Sequence, residues 1–183
     1  MVGNQVTDAV LMRETAVGDR GCLEKLVRRH ANGLLTFITG MIGDRHLSEE
    51  LFQEVMLTVW QKRRQYDYPR PFKPWLYKIA LNRCRLEFRR ARPPAAELPL
   101  ENLVAGREPS PVEAAVAVEM ETAVRSAVAQ LADRQRIVVV LRIWNDLPYS
   151  EIAEVLGVAE VTVRSYMFHA LNAMRTYLEP RMK

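Results

Sequence analysis

The stretch YSEIAEVLGVAEVTVRSYMFHALNAMRTYL, Tyr149 to Leu178, decides how the C-terminal part of this chain folds. Apolar residues recur at three- and four-residue spacing on both sides of Gly157, which predicts two helices joined by a tight turn. Glycine suits the end of the first helix because it adopts a positive φ at little cost. The small side chain of Ala153 allows the helices to cross closely. The pattern predicts a helix-turn-helix motif, with an ordinary helical hairpin as the alternative.

The second helix of this motif has two predicted faces. Six apolar residues are expected to pack inward: Val163, Met167, Ala170, Leu171, Met174 and Leu178. The opposite face, which would meet a DNA major groove, is expected to carry Arg164, Ser165, Phe168 and Asn172. This helix has few of the cations usual in a helix that reads DNA. Fewer cations release fewer counterions, so non-specific attraction to DNA is expected to be weak.

Composition sets the class of protein. The chain has 183 residues, of which 49% are hydrophobic and 26% charged, so it is neither disordered nor fibrous. The 26 Lys and Arg against 22 Asp and Glu give a net charge of +4, a modest bias towards polyanions. Cys22 and Cys84 lack a CxxC partner and are interpreted as small buried or half-buried hydrophobes in a reducing compartment.

Targeting signals are not apparent in the sequence. The N-terminus lacks a cationic-then-apolar signal segment. No apolar run approaches the ~20 residues that a membrane-spanning helix needs. The sequence therefore predicts a cytoplasmic protein without a membrane partner.

A proline-rich segment divides the chain. Residues Ala91 to Glu113 hold five of the ten prolines, and interior prolines are incompatible with one continuous helix. We predict a flexible linker at 93–112, between an N-terminal domain at 1–92 and a C-terminal domain at 113–183. Apolar spacing in both halves is helical, so the predicted fold class is all-α, with two small helical domains.

Capping residues predict where several helices begin. The predicted starts are Ser48, with a helix through Trp60; Pro74, with a helix through Arg89; Ser110, followed by Pro111 and Glu113; and Asp133, with a helix containing Ile137 to Leu141.

Two segments carry a family resemblance. The segment LSEELFQEVMLTVWQKRRQYDYPRPFKPWLYKIALNRCRLEFRR, Leu47 to Arg90, resembles the polymerase-binding and promoter-melting part of extracytoplasmic-function (ECF) sigma factors. LADRQRIVVVLRIWNDLPYSEIAEVLGVAEVTVRSYMFHAL, Leu131 to Leu171, resembles their C-terminal domain. The resemblance implies a transcription initiation factor that binds core RNA polymerase and directs it to a subset of promoters. It also implies no enzymatic activity, no cofactor or metal, a monomer when free, and an anti-sigma factor as a further partner.

In the first half, the resemblance implies two sets of contacts. The residues expected to bind core polymerase are Glu50, Leu51, Gln53 and Glu54. Those expected to bind and melt the minus-ten element are Tyr66, Tyr68, Phe72, Lys78, Asn82 and Arg85. Cations attract phosphates, and aromatic faces stack on unpaired bases, which is worth ~1–3 kcal/mol per base. The alternative for Phe72 and Trp75 is a position in the core, and this interpretation is preferred for Trp75.

In the second half, the resemblance implies contacts with the minus-thirty-five element. The expected residues are Glu160, Thr162, Arg164, Ser165, Phe168 and His169. Family members commonly carry basic residues where this chain has Tyr166 and His169, and a serine where it has Pro148. Glu160 is compatible with two roles, since it can accept a hydrogen bond from a cytosine amino group or be repelled by phosphate.

Two other classes of function are less well supported. A regulator that binds its operator as a dimer needs a dimerisation surface and a sensor site, and the first half has neither coiled-coil heptads nor a pocket signature. A nucleic-acid enzyme needs a metal or phosphate site. His30, His46 and His169 lack metal-ligand spacing, and no Gly-rich phosphate loop is present.

Overall fold

The computed structural model describes residues 6–90, 120 and 122–181, and within these ranges the regular structure is entirely helical. The helices are α1 (Asp8–Ala16), α2 (Arg20–Ile42), α3 (Arg45–Gln61), α4 (Phe72–Arg90), α5 (122–129), α6 (Asp133–Val139), α7 (Tyr149–Leu156) and α8 (Glu160–Leu178). Short 3-10 turns lie at Arg63–Gln65 and Glu179–Arg181, and a π turn at Val140–Trp144 continues α6. The predicted all-α fold is confirmed. The predicted linker and the predicted start at Ser110 lie outside the described residues.

Two predicted helix caps are wrong. The N-cap of α3 is Asp44, whose carboxylate accepts from the Leu47 amide at 2.8 Å, and Ser48 is buried within the helix. The buried apolar residues of α3 begin at Leu51, well after Asp44. Their spacing therefore does not indicate that the helix begins after Asp44. Asp133 is the first residue of α6 and follows the N-cap Ala132, and there its charge still favours the helix N-terminus. The helix predicted from Pro74 begins two residues earlier, at Phe72.

The first half buries one side of each helix from α1 to α4. Phe37 and Ile38 of α2 meet Val55 of α3 and Leu76 and Leu81 of α4, all essentially without exposure. Full burial of such side chains stabilises a fold by about 1.5–3 kcal/mol each. Cys84 lies in this core and Cys22 is half-buried, as the sequence predicts.

In the second half, α7 and α8 form the predicted helix-turn-helix. Gly157 ends α7 in the left-handed region at φ 67°, and its amide donates to the Ala153 carbonyl at 2.8 Å. Ile152 and Val163, one from each helix of the motif, are buried in the same cluster as Val139 of α6 and Leu141 of the π turn. The motif is therefore held by its own apolar seam and by α6.

The two halves also pack against each other. The Tyr77 hydroxyl of α4 donates to Asn145 Oδ1 at 2.6 Å, and Asn145 Nδ2 donates to the Val140 carbonyl at 3.0 Å. Gly33 of α2 permits this approach, because a Cβ there would lie 2.9 Å from Asn145 Oδ1. The buried residues of both halves accordingly form one continuous apolar cluster.

No helix among the described residues combines the length and the apolar character that crossing a membrane requires.

Candidate nucleic-acid interface

Helix α8 exposes most of the face that the sequence assigns to DNA. Arg164, Ser165 and Phe168 are exposed, as is Asn172, whereas Val163, Met167 and Ala170 are buried. Leu171 was expected inward, but it is 49% exposed. It lies at the margin of the apolar stripe, and the opposite margin is occupied by the half-buried Tyr166. The stripe is thus centred closer to Tyr166 than the spacing of apolar residues suggests.

Arg164 is held by two neighbours. Its guanidinium forms an ion pair with Glu160 at 2.5 Å and lies 4.8 Å from the centre of the Tyr149 ring. The side chain remains 61% exposed. In this structure the Glu160 carboxylate therefore binds a cation of its own helix, one turn away.

The other predicted contacts of α8 differ in access. His169 is exposed, with its ring centre 5.6 Å from that of the exposed Phe168. Thr162 is half-buried in the first turn, where its amide donates to the Ala159 carbonyl at 3.0 Å. The outward face of α8 thus combines an apolar ring with polar groups, a mixture that suits the edges of bases.

Two further arginines, which are not among the predicted contacts, lie beside this motif. Arg134 of α6 is 6.0 Å from the Tyr166 ring centre, and Arg142 of the π turn is 5.3 Å from the Tyr149 ring centre. Both arginines are exposed. They are eight residues apart in the sequence, but the π turn after α6 interrupts the helical period between them.

Helix α4 carries the predicted basic face. Lys78, Asn82 and Arg89 are exposed and Arg85 is half-buried. The other side of the helix buries Leu76, Ala80 and Cys84, with Phe88 half-buried beside them. The face predicted to meet the minus-ten element is therefore available on α4.

Two of the aromatic residues expected to stack on bases are buried. Phe72 is 3% exposed and Tyr66 is 9% exposed, and the Tyr66 hydroxyl donates to the Arg70 carbonyl. The Tyr66 ring packs on Phe72 and Trp75, with ring centres 6.3 and 5.5 Å away. Burial raises the pKa of Tyr66 to about 12. The expectation that Tyr66 and Phe72 face unpaired bases is thus wrong for this conformation.

Tyr68 is the exposed aromatic of the segment. Its side chain is 45% exposed, and the Arg13 guanidinium lies 5.2 Å from its ring centre. Trp75, interpreted from the sequence as core, is half-buried and packs against the core cluster.

The loop before α4 forms one wall of a cleft of about 600 Å³. Its lining includes Arg70, Trp75 and Lys78, and Glu154 of α7 borders it from the other half of the chain. Near this contact, burial raises the pKa of the Glu151 carboxyl above its usual value, and the charge of Lys73 opposes the shift. Carboxylates of α7 therefore lie beside cations of the first half.

On α3, the predicted polymerase contacts separate into three groups. Glu50 and Gln53 are exposed, and Glu54 forms an ion pair with Arg83 of α4 at 2.5 Å. Leu51 is only 3% exposed and packs into the core, so the expectation that it contacts a partner directly is wrong. The resemblance implies a contact at Leu51, but this residue is turned inward from its exposed neighbour Glu50.

An apolar groove between α2 and α3 was not predicted. It encloses about 510 Å³ and is lined by Arg20, Leu23, Val27, Phe52, Gln53, Met56, Leu57 and Trp60. Leu57 is 60% exposed there. The groove joins side chains that are 30 or more positions apart in the sequence, such as Leu23 and Trp60, so no local spacing could reveal it.

Comparison with known proteins identifies two matching family models. The model "Sigma-70 region 2" matches residues 26–93, and "Sigma-70, region 4" matches residues 121–174. Together they cover more than half of the chain.

Full-length relatives agree with these matches. The chain is 27% identical to the RNA polymerase sigma-H factor of Pseudomonas aeruginosa, covering 98% of this chain and 97% of the relative. It is 26% identical to the ECF RNA polymerase sigma factor SigW of Bacillus subtilis, covering 91% and 94%.

Solved structures have the same fold. CnrH, determined in complex with the cytosolic domain of CnrY, superposes with a TM-score of 0.74 at 23% identity over 94% of this chain and 97% of that one. The sigma factor RpoE of Bartonella quintana, determined with the anti-sigma factor NepR, gives 0.71 at 17% identity over 85% and 96%.

Proposed function

The chain belongs to the ECF group of the sigma-70 family, and from this premise we propose that it selects and melts a subset of promoters for core RNA polymerase. The observation that carries the proposal is the exposed face of α8, with Arg164, Ser165 and Phe168, within the matched region 4 and behind a matched region 2. The proposed division of labour follows the predicted domains, 1–92 for polymerase and the minus-ten element and 113–183 for the minus-thirty-five element.

Core polymerase is proposed to bind the surface formed by α2 and α3. Exposed Glu50 and Gln53 provide polar contacts, and the adjoining groove presents apolar side chains, including the exposed Leu57. A partner that buries this groove gains hydrophobic stabilisation, while the polar rim gives specificity. Glu54 contributes less directly, because Arg83 already pairs with it.

The minus-ten element is proposed to bind along α4 and the loop before it. Lys78, Asn82 and Arg85 supply the basic face, and Tyr68 supplies the exposed ring that can stack on an unpaired base. Tyr66 and Phe72 contribute indirectly, because their buried rings hold the loop against the core.

A protein inhibitor is proposed as a further partner. The solved structures of CnrH and RpoE each contain a second protein, and for RpoE that protein is called an anti-sigma factor. The apolar groove and the exposed Phe168 of α8 are surfaces of this chain that such an inhibitor could cover.

Two linked assays test the proposal. The purified chain should co-elute with core polymerase, and the complex should make run-off transcripts from promoters selected in vitro. Leu57→Asp should prevent co-elution without unfolding the protein, because the site is exposed. Leu171→Asp on α8, which puts the same charge at another exposed leucine, is the matched control and should leave co-elution unchanged. Absence of co-elution by the unaltered chain at low salt would contradict the proposed function.

A further inference from the structure

Helix α8 has few outward cations of its own. Arg164 and Tyr166 are two positions apart, so at ~100° per residue they lie ~200° apart around the helix. They therefore border opposite edges of the outward face, with Ser165 and Phe168 between them. When a helix lies in a major groove about 12 Å wide, a row of phosphates runs along each edge. Cations at these two edges would be placed to contact the two rows.

At the first edge, one tyrosine ring contacts two guanidinium groups. Arg164 lies 4.8 Å and Arg142 5.3 Å from the centre of the Tyr149 ring. Arg142 also donates to the Leu147 carbonyl at 3.2 Å, which fixes its position further. The charge of Arg164 is partly balanced by Glu160, whereas Arg142 makes no ion pair within the described ranges.

At the second edge, the cation comes from another helix. The Arg134 guanidinium lies 6.0 Å from the centre of the Tyr166 ring, and that ring is half-buried against the core. Among the described residues Arg134 has no ion-pair partner. Its neighbour Arg136 is used differently, since it donates to the carbonyls of Ala129 and Leu131 at 2.6 and 3.2 Å. Arg134 is therefore the cation of α6 that stays available.

An aromatic ring is a better partner than a carboxylate for an arginine that must contact phosphate. A ring face attracts a guanidinium through its quadrupole and restrains its position, but it leaves the positive charge intact. The N–H donors at the rim of the guanidinium then stay free for phosphate oxygens. A carboxylate partner would occupy the same donors and cancel the charge.

We infer that Tyr149 and Tyr166 are positioning residues that hold Arg142 and Arg134 against the DNA phosphates on either side of α8. The inference rests on the proposed function and adds to it the source of the phosphate contacts. It also gives a role to Tyr166, which stands where family members commonly have a cation. In this chain the cation at that place is Arg134, which lies over the Tyr166 ring.

The test measures binding of the full chain to a fluorescent random-sequence duplex of about 30 base pairs, as a function of salt, since phosphate contacts do not depend on sequence. Arg134→Ala and Arg142→Ala should each lower the slope of log affinity against log salt by ~0.9. Tyr166→Leu should weaken binding about three- to tenfold at low salt. Tyr166→Phe, which keeps the ring, should bind like the unaltered chain.

A double variant separates positioning from packing. If Tyr166 acts through Arg134, then Tyr166→Leu combined with Arg134→Ala should bind no more weakly than Arg134→Ala alone. Additive losses, or a folded Tyr166→Leu protein with unchanged affinity and salt slope, would overturn the inference. Arg28→Ala is the control for a simple loss of charge and should leave the slope unchanged. Co-elution with core polymerase is measured on the same variants and should not change, so a failure of this inference is distinct from a failure of the proposed function.

Discussion

The outward face of α8 and the loop before α4 carry the same kind of residues, cations mixed with aromatic rings, yet they present them in opposite ways. On α8, Phe168 is exposed and Tyr166 is half-buried where the helix meets the core. In the loop and at the first residue of α4, Tyr66 and Phe72 are buried, and Tyr68 alone of the three is exposed. Composition therefore identifies both segments as candidates for nucleic-acid contact, but only the helical one has a period that predicts which side chains face out.

The largest effect that tests this comparison is expected from Phe72→Ala. Phe72 is 3% exposed and packs on His30, Tyr66 and Trp75. The variant should lower the free energy of unfolding by about 3–5 kcal/mol, the usual cost of emptying a buried aromatic site. Urea unfolding followed by circular dichroism measures it. Tyr68→Ala is the control and should change stability by less than about 0.5 kcal/mol. A stable Phe72→Ala protein with impaired promoter melting would reverse our assignment of the loop.

Arg164→Ala examines the other side of the comparison. Because Arg164 is exposed and is positioned by Glu160 and Tyr149, we expect that its loss reduces promoter-dependent transcription by about 1–3 kcal/mol in apparent binding free energy, the usual value of one base contact. Run-off synthesis at several DNA concentrations measures it. The thermal unfolding midpoint should stay close to that of the unaltered chain. A large fall in that midpoint would mean that Arg164 belongs to the fold rather than to the DNA-binding face.

A smaller effect on stability is expected from Asp8, on α1. Its carboxylate binds His30 at 2.7 Å and Arg29 at 2.9 Å, and the hydrogen bond from His30 is the main cause that lowers the Asp8 pKa to about 2. A lowered carboxyl pKa stabilises the fold above the unfolded value near 3.9, and this contribution is lost as pH falls from about 4 to 2. After allowance for solvent screening, the contribution is about 1 kcal/mol.

Asp8→Asn tests that contribution. The variant should be less stable than the unaltered chain at pH 6, and the difference should shrink as the pH falls from 4 to 2. Chemical unfolding at a series of pH values provides the measurement. A difference that stayed constant over this range would show that the Asp8 charge does not support the base of the loop.

The smallest effect is expected at Leu171. Since Leu171 is 49% exposed, Leu171→Gln should change the free energy of unfolding by less than about 0.5 kcal/mol. Ala170→Gln, one residue earlier, should be clearly destabilising, because Ala170 is fully buried and a larger polar group cannot be accommodated there. Thermal unfolding of the two variants compares them. If both variants lost the same stability, Leu171 would be buried, as the sequence predicts.

The sequence predicts the parts of this fold that depend on local periodicity. The helix-turn-helix, its Gly157 end and the basic face of α4 all follow from residues within a few turns of one another. The groove lined by Leu23 and Trp60 and the approach of Arg134 to Tyr166 depend on tertiary packing between separate helices. No spacing within one segment contains that information, so neither feature can be predicted from the sequence of one helix.

Errors at single residues have a related cause. Leu51 directly follows the exposed Glu50 in the sequence, yet one step along a helix turns a side chain by ~100°, enough to bury it. At α3, the chain offers two residues able to cap a helix, Asp44 and Ser48, and the structure uses the earlier one. Capping preferences rank residue types, but they do not decide between two suitable residues one turn apart.

The hydrogen bond between Tyr77 and Asn145 joins residues 68 positions apart. The ribosome therefore makes Tyr77 well before it makes the acceptor of this bond. At ~5–20 residues per second, the ribosome needs roughly 3–14 s to proceed from the first residue to the second. During that interval the Tyr77 hydroxyl lacks its hydrogen-bond acceptor in the second half. This contact between the two halves therefore cannot form before Asn145 has been made, and a transcript that ended before the Asn145 codon would yield a first half without it.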